Sequence, residues 1–318
     1  MAYPTLTNVS IGVSEAGNFI PELWSDEVLA AYKANLVMPQ LVTNMPFAGK
    51  KGDTVHIPRP TRGAATLKAT DTGVTLIAES NTAFDLTVGT HYEYSRLIED
   101  IAAIQALDSM RAFYTDDAGY ALATVMDDAL HAEGAKFAAT HATPTTAGSN
   151  YSKAVIGSDG STAWSASANT NTGNGAALTD AGIREVIRQL DDNDVPQRFR
   201  ALVIPPVEKK NLLGLSRFTE QAFVGDGSSI RNGLVGDIYG IPVYVSTNCA
   251  TVLAANSSTA YRAVLLFQKE AVVMAEQLSP RTQTQYKQEY LSDLFTADTI
   301  YGVGTMRPEA GAAIIVPA

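Results

Sequence analysis

The residues most able to do chemistry stand together in one stretch, FYTDDAGYALATVMDDALHAEG at 113–134. Asp127 and His131 are four positions apart, so on a helix they share one face and could bind a divalent metal together. A protein metal site normally has three or four convergent ligands, however, and one helix supplies two. We therefore predict a structural role for this pair and no metal-binding residues. A metal-dependent enzyme that uses Asp127, His131 and carboxylates from elsewhere in the chain stays open as the alternative.

The two Asp pairs of the same stretch also repeat at a helical spacing. Asp116 and Asp127 are eleven positions apart, as are Asp117 and Asp128, and this separation corresponds to three turns of a helix. Acidic side chains at such a spacing are typical of the polar flank of a helix. We expect all four carboxylates to face solvent or a neighbouring subunit.

No other residues form a recognisable catalytic or cofactor-binding arrangement. His56, His91 and His141 have no nucleophile or base at a motif spacing, and the sequence contains no GxSxG, HExxH, Walker or dinucleotide-binding motif. The loop GDGSSIRNG at 225–233 lacks the Lys-Ser/Thr pair of a phosphate-binding P-loop, and we interpret it as a turn. Cys249 is interpreted as a small buried residue. We therefore predict no catalytic residues, no cofactor and no enzymatic activity.

Composition and charge limit the classes to which the protein can belong. Of its 318 residues 46% are hydrophobic and 18% are charged, which is typical of a globular protein. A net charge of −10 repels nucleic acid and anionic lipid, so we expect neither sequence-specific DNA binding nor a membrane. The apolar runs are too short to span a bilayer, and the N-terminal MAYPTLTNVS lacks the pattern of a secretory signal. The single cysteine excludes an intrachain disulfide, and the cytoplasm is the expected compartment.

Helical and strand patterns follow each other in the first hundred residues. Apolar spacing predicts a first helix from about Pro21 to Met38, ended by Pro39. From Gly49 the pattern changes to strand alternation in KKGDTVHIPRPTRG and again in FDLTVGTHYEYSRL. The segment between these strands is polar and rich in Gly and Thr. This order predicts a β-hairpin that projects from the body, with its tip at about 62–82.

A long helix is predicted next, from Ala106 to Phe137, with a start between Ile98 and Ala106. Gly119 within it costs about 1 kcal/mol relative to Ala, so we expect the helix to be a structural spine held by packing. One side should pack on a sheet. The predicted buried stripe consists of Leu107, Met110, Tyr114, Ala118, Ala121, Val125 and Ala129.

The second half of the chain alternates strand and helix patterns. Residues 140–176 are rich in Thr, Ser, Ala, Asn and Gly and are predicted to be a surface loop or insertion. A helix capped by Thr179 and ended by Asn193 follows. The strand RALVIPP, a helix in VEKKNLLGL and a strand in DIYGIPVYVSTN complete a small α/β domain. AYRAVLLFQKEAVVMAEQ and the C-terminal tail return to strand patterning.

Five segments, in this order, resemble the major capsid proteins of tailed bacteriophages, whose shell-forming fold is shared with encapsulin compartments. The segments are FIPELWSDEVLAAYKANLVMPQLV, KKGDTVHIPRPTRG, HYEYSRLIEDIAAIQALDSMRAFYTDDAGYALA, DIYGIPVYVSTN and DTIYGVGTMRPEAG, and together they extend over nearly the full length. The resemblance implies an α+β fold of that family. Such a fold has an N-terminal arm, an extended hairpin called the E-loop, a peripheral domain with a long spine helix, and an α/β axial domain.

Carried over to this sequence, the resemblance divides the chain into six parts. They are 1–48 as the N-terminal arm, 49–96 as the E-loop hairpin, 97–139 as the spine helix of the peripheral domain, 140–176 as a low-complexity loop or insertion, 177–258 as the axial domain and 259–318 as a return to the peripheral domain.

The resemblance implies a structural protein, a major capsid subunit that assembles into the icosahedral head around double-stranded phage DNA. The implied partners are further copies of the chain in hexamers and pentamers, a portal, and a separate scaffold protein, because Met1 begins directly at the arm. Assembly in the host cytoplasm would place the chain in the virion capsid, where an acidic wall would let DNA enter without binding it. An encapsulin-like compartment shell has the same fold and stays open as a second alternative.

Overall fold

The computed structural model describes residues 36–46, 52–59, 63, 65–74, 76, 82–99, 109–140, 151–214 and 236–318. Its mixed helices and strands agree with the expected α+β class. The predicted helix at 21–38 lies almost entirely outside these residues. The described chain begins with a short helix α1, Met38–Leu41. Pro39 lies in the first turn of α1 and does not end a helix, contrary to the prediction, because a proline in a first turn gives up no hydrogen bond.

A four-stranded sheet forms one layer of the protein. In spatial order its strands are β1 (Thr43–Pro46), β11 (Val272–Lys287), β12 (Ser292–Thr305) and β4 (Thr90–Glu99). β1 runs parallel to β11, and the other neighbouring pairs are antiparallel. The pairing of β11 with β12 changes register twice between Glu276 and Arg281, and such irregularities bend a strand.

The long helix α2, Ser109–Glu133, packs on one face of this sheet and is shorter than predicted. Ile98 lies in β4, so α2 begins after that strand, and residues 100–108 lie outside the described chain. A short 3₁₀ turn, Gly134–Lys136, follows α2, and Phe137 is already extended. Gly134 lies close to Leu265, since a Cβ there would stand 2.4 Å from Cδ2 of that side chain.

Alternate residues of β12 face two different partners, as strand geometry requires. Phe295 and Ala297 form a buried cluster with Ala118 and Leu122 of α2. The Tyr301 hydroxyl, on the same face of β12, donates to a backbone carbonyl of α2. This face of β12 therefore fixes the long helix against the sheet.

The opposite face of β12 holds the predicted hairpin. β2 (Thr54–Arg59) and β3 (Thr82–Thr87) pair as a two-stranded antiparallel ribbon, so the predicted strand pairing is confirmed. Gly302 and Gly304 let the base of this ribbon approach β12 closely, since a Cβ at Gly302 would stand 2.4 Å from the carbonyl oxygen of Thr87. The predicted second strand is divided after β3, because β3 pairs with β2 whereas β4 pairs with β12.

A seven-stranded sheet forms the second layer. Its spatial order is β5 (Val155–Ile156), β13 (Gly311–Pro317), β10 (Ala260–Gln268), β6 (Arg200–Ile204), β8 (Ile241–Val245) and β7 (Asp237–Ile238), with β9 (Thr251–Leu253) also beside β10. β10 pairs with β13, β6 and β9, which makes it the central strand. Its apolar run AVLLF and all of β6 are buried, as continuous apolar strands are when both faces of a sheet are covered.

Three further helices accompany the second sheet: α3 (Ala168–Asn171), α4 (Asp180–Asp192) and α5 (Pro206–Leu213). The predicted cap of α4 is confirmed, because Oγ1 of Thr179 accepts a hydrogen bond from the Gly182 amide at 3.1 Å, and Asn193 follows its last residue. α5 begins with Pro206, as expected for a helix that follows two prolines.

The last sixty residues are shared between the two sheets. We expected residues 259–318 to return to the layer that carries the long helix, and this is wrong for β10 and β13, which lie in the seven-stranded sheet. β11 and β12, between them in sequence, do lie in the four-stranded sheet. The physical reason is that the chain crosses between layers twice, through the 3₁₀ turns Lys269–Ala271 and Pro308–Ala310.

The low-complexity stretch is part of the core where it is described, 151–176, and the prediction of a surface loop is wrong there. β5 adds a parallel edge strand beside β13. Trp164 has 0% of its surface exposed, and its ring lies 4.8 Å from that of Tyr261 in an edge-on contact. The composition does not reveal this role, because many small polar residues are also typical of a surface loop. In this segment the small side chains let the backbone lie close to the sheet.

Candidate functional site

The long helix α2 carries the residues that the sequence identified as candidates, but its buried side is turned by one position from the predicted stripe. Ala118 is buried as expected. Ala121 and Val125 are only half-buried, whereas the residues that follow them, Leu122 and Met126, are buried. The buried apolar residues of the described part are Ala118, Leu122, Met126 and Leu130, each four positions from the last. Leu107 lies outside the described residues.

Asp127 is buried inside the protein, and the expectation that it faces solvent or a neighbouring subunit is wrong. It is 0% exposed. Its Oδ1 accepts the backbone N–H of Met38 at 3.0 Å, and its Oδ2 accepts the side-chain amide of Asn248 at 3.1 Å. A carboxylate can be buried when hydrogen bonds replace its water. Asp127 thus joins the chain before β1, the helix α2 and the loop after β8.

His131 lies beside Asp127 in the same buried place, as its position on the helix predicted. The two side chains approach to 3.6 Å between Nε2 and Oδ2, which is just beyond hydrogen-bond distance, and His131 is 1% exposed. Neither of its ring nitrogens has a hydrogen-bond partner within the described chain. Burial lowers the pKa of His131, against the opposing effect of the Asp127 carboxylate. The ring is therefore held uncharged at neutral pH.

The pair does not gather further metal ligands in the described part of the chain. Among those residues no group of three His, Cys, Asp or Glu side chains could hold a metal ion. The arrangement can hold backbone segments together and can take up a proton, and these are its chemical capacities. The sequence showed the pair but not its burial, because Met38 and Asn248 are 89 and 121 positions away from Asp127.

The other three aspartates of α2 lie on the outside, as expected. Asp116 and Asp128 are exposed, and Asp117 is partly exposed. Asp117 accepts a hydrogen bond from the Tyr94 hydroxyl at 2.8 Å, and the Arg96 guanidinium lies over the ring of Tyr114. These contacts tie the first half of α2 to β4.

The remaining candidates from the sequence lie apart from one another. Cys249 is buried as expected, its thiol donates to the Ser246 carbonyl at 3.3 Å, and burial raises the pKa of that thiol to about 12. His56 pairs with Asp85 on the hairpin ribbon, and His91 pairs with Asp298 across β4 and β12. His141 and the loop at 225–233 lie outside the described residues.

Exposed aliphatic side chains lie in the hairpin beyond its paired base. Leu67, Val74 and Leu76 are 101%, 72% and 88% exposed, so the described part of the chain does not cover them. Two-stranded ribbons such as this base are marginally stable in water. Exposed aliphatic residues beyond such a base favour a surface that becomes buried against another molecule.

A second exposed group lies at the far end of the four-stranded sheet, where the turn between β11 and β12 projects. Tyr286, Tyr290 and Leu291 are exposed there, and Leu97 of the neighbouring β4 is exposed beside them.

No helix of the described residues is long and apolar enough to cross a membrane.

Solved phage structures match this chain over nearly its whole length. A structure from Mycobacterium phage Che8 has a TM-score of 0.72 at 24% identity, covering 93% of this chain and 97% of its own. The capsid of the cyanophage P-SCSP1u has a TM-score of 0.72 at 19% identity, with 99% and 98% covered. The mature capsid of bacteriophage PhiM1 has a TM-score of 0.70 at 16% identity, with 99% of each chain covered.

These similarities establish the fold. The chain has the architecture of phage capsid subunits from end to end, which confirms the fold that the sequence resemblance implied. No protein-family profile matches the sequence, and no curated protein does.

Proposed function

We propose that the protein is the major subunit of the icosahedral head of a tailed bacteriophage. The observation that carries this proposal is the hairpin beyond the β2–β3 ribbon, where the exposed Leu67, Val74 and Leu76 need a neighbouring molecule, on a chain whose fold is that of capsid subunits. In a closed shell each copy offers the same surface to the next, so every ribbon finds a partner.

The proposed role is structural and not enzymatic. The buried Asp127 and His131 hold segments of the chain together, and the described residues bring no third ligand to them. This arrangement favours a structural role over the alternative of a metal-dependent enzyme.

The net charge supports a container for DNA that does not bind its contents. At −10 the chain repels the phosphate backbone, so DNA can move along the wall during filling. We propose that the subunit is located in the virion capsid after assembly in the host cytoplasm. Hexamers and pentamers of the chain, a portal and a separate scaffold protein are the proposed partners.

The division of the chain is proposed with the sequence boundaries changed where the strand pairing requires it. We assign 1–48 to the arm, 49–89 to the E-loop hairpin and 90–139 to the spine region, because β4 pairs with β12 in the four-stranded sheet and not with the hairpin. The axial domain at 177–258 gains β10 and β13, because both strands lie within its sheet. Residues 151–176 join it through β5.

Particle formation by the purified chain, with and without a scaffold protein, tests the proposal. Electron microscopy should show closed shells, or hexamers and pentamers, for the unaltered chain. A triple substitution of Leu67, Val74 and Leu76 by Ser should leave the subunit folded and abolish shells, because the ribbon loses about 25 cal/mol per Å² of apolar contact. Deletion of 64–80 should act in the same way.

A matched control uses exposed apolar residues elsewhere. Val207→Ser and Leu253→Ser change two exposed side chains outside the ribbon, and particles should still form. An unaltered chain that stays monomeric at high concentration with scaffold present would contradict the proposal. Normal shells from the ribbon variants would show that the ribbon is not an intersubunit element.

A further inference from the structure

Three distant segments meet at the Asp127 carboxylate, whose two oxygens connect α2 to the other two. Oδ1 accepts the backbone N–H of Met38, the first residue of α1, while Oδ2 accepts the side-chain amide of Asn248 in the loop after β8. Met38 is fully buried and belongs to the core that includes Met126 and Leu130 of α2. The position of α1 on the body therefore depends on the state of one carboxylate.

His131 is the unpartnered member of this buried group. Its Nε2 lies 3.6 Å from Oδ2 of Asp127, the oxygen that Asn248 already occupies. Neither ring nitrogen has a partner in the described chain, although the ring is as buried as its neighbours. Buried polar groups without partners are rare and require an explanation. A neutral His131 ring can stay buried here without a hydrogen-bond partner, whereas a protonated ring needs an acceptor for its N–H groups.

We propose that His131 is a proton-sensitive latch, in which the neutral ring leaves Asp127 free to hold Met38 and Asn248, and the protonated ring draws the Asp127 carboxylate toward Nε2. The geometry allows this because a movement of well under 1 Å brings Nε2 and Oδ2 within hydrogen-bond distance. Both oxygens belong to one rigid carboxylate, so a shift of that group lengthens its hydrogen bonds to Met38 and to Asn248 together.

The other titratable groups nearby keep their charge state in the range where a histidine titrates. Burial raises the pKa of the Cys249 thiol to about 12 and raises the pKa of the Tyr151 phenol further, so both stay neutral. Arg262 donates to the Cys249 carbonyl at 2.7 Å. Asp128 lies on the exposed side of α2, where burial and then the Asp127 charge raise its carboxyl pKa. The Asp128→Asn variant tests whether this carboxyl contributes to the pH dependence.

The sign of the pH effect follows from the direction of the shift. Burial holds the pKa of His131 below its ordinary value of 6.5. The unfolded or opened state therefore binds the proton more readily than the closed state does. The latch is fully closed above pH 6.5 and is lost as pH falls through the lowered pKa. Mild acid opens it.

Hydrogen–deuterium exchange of the full chain, read by mass spectrometry at pH 7.5, 6.5 and 5.5, tests the latch. After correction for the intrinsic exchange rate, protection of residues 36–42 and 246–249 should fall with pH, by up to about tenfold per pH unit, the limit for uptake of one proton. Residues 180–192 of α4 should keep their protection in the same samples. His131→Gln and His131→Leu should remove the pH dependence at 36–42, because neither side chain takes up a proton.

Asp128→Asn is the matched control and should keep the pH dependence of the unaltered chain. The latch is refuted if residues 36–42 of the unaltered chain keep constant protection down to pH 5.5, or if the His131 variants lose protection as steeply as the unaltered chain. Should neither variant fold, the unaltered chain decides alone. A loss confined to 36–42 and 246–249 supports the latch, and a loss shared by 180–192 overturns it. The proposal concerns the single subunit, so it can fail or succeed whether or not shells form.

Discussion

The backbone N–H of Met38 donates to Oδ1 of Asp127 at 3.0 Å, and this hydrogen bond joins residues 89 positions apart inside the protein. The amide and the carboxylate satisfy each other's hydrogen-bonding capacity in a place from which water is excluded. With 0% of its surface exposed, Asp127 is the most deeply buried acidic residue of α2 among those the structure describes.

Replacement of Asp127 should therefore be costly. Asp127→Ala leaves the Met38 amide and the Asn248 side chain without their acceptor in a buried place, and we expect the free energy of unfolding to fall by about 3 kcal/mol. Asp128→Ala, on the exposed side, should change it by less than about 0.5 kcal/mol. Urea unfolding of both variants measures the difference. Equal effects would mean that Asp127 is not the anchor described above.

The orientation of α2 can be tested by truncation of two apolar side chains, one from the observed buried side of the helix and one from the predicted stripe. Leu122 is buried against Phe295 and Ala297, whereas Val125 is half-buried. Leu122→Ala should lower the free energy of unfolding by about 2–5 kcal/mol, and Val125→Ala by about 1 kcal/mol. A larger loss from Val125→Ala would favour the stripe predicted from the sequence.

Trp164 should be one of the most sensitive positions of the low-complexity stretch. Trp164→Ala removes a fully buried ring that contacts Tyr261 and abuts Gly173, and the expected loss is about 3–5 kcal/mol. Phe199→Ala is the control, because that aromatic ring is exposed and should contribute little. Thermal unfolding compares the two. If both variants melt alike, the stretch is not part of the core.

Asp298 should contribute stability that disappears in acid. Hydrogen bonds from Arg281, and to a lesser extent from His91, lower the pKa of its carboxyl against the effect of burial. A carboxyl with a lowered pKa stabilises the folded state above its unfolded pKa of about 3.9, and this stability is lost as pH falls through the folded pKa. Asp298→Asn should therefore be less stable than the unaltered chain at pH 7, and the two should converge as pH falls through the lowered folded pKa.

Chemical unfolding of the two proteins between pH 7 and pH 3 measures this convergence. Asp293→Asn, an exposed position on the same strand, is the control and should show no comparable difference at pH 7. A stability gap for Asp298→Asn that stays constant across this range would contradict the assigned role of the Arg281 pair.

Local signals in the sequence predicted the elements that local chemistry determines. The cap at Thr179 and the strand alternation of Thr54–Arg59 are both present, because each depends on residues within a few positions. The orientation of α2 and the burial of Asp127 depend on partners from other parts of the chain. Alanines occupy both the predicted stripe and its neighbours, so apolar spacing could not distinguish two orientations one position apart.

The distribution of the C-terminal strands was also beyond local reasoning. AYRAVLLFQKEAVVMAEQ reads as one apolar stretch, yet its two halves lie in different sheets. The change of layer takes place in Lys269–Ala271, where Glu270 donates its backbone N–H to the Gln268 side chain. A three-residue turn of this kind has no strong sequence signal. In the same way, a composition that suggests a loop could not predict that Trp164 is buried.

The two crossings between the sheets have a mechanical consequence. β10 continues through Lys269–Ala271 into β11, β12 continues through Pro308–Ala310 into β13, and the two paths stay paired on both sides of the crossing. The amides of Met306 and Arg307 both donate to the Ala271 carbonyl and bind the paths together at the crossing itself. A force on the turn after β11 is therefore carried along the strands as shear, which loads many interstrand hydrogen bonds at once. We therefore expect the two sheets to resist a pull along these strands as one unit.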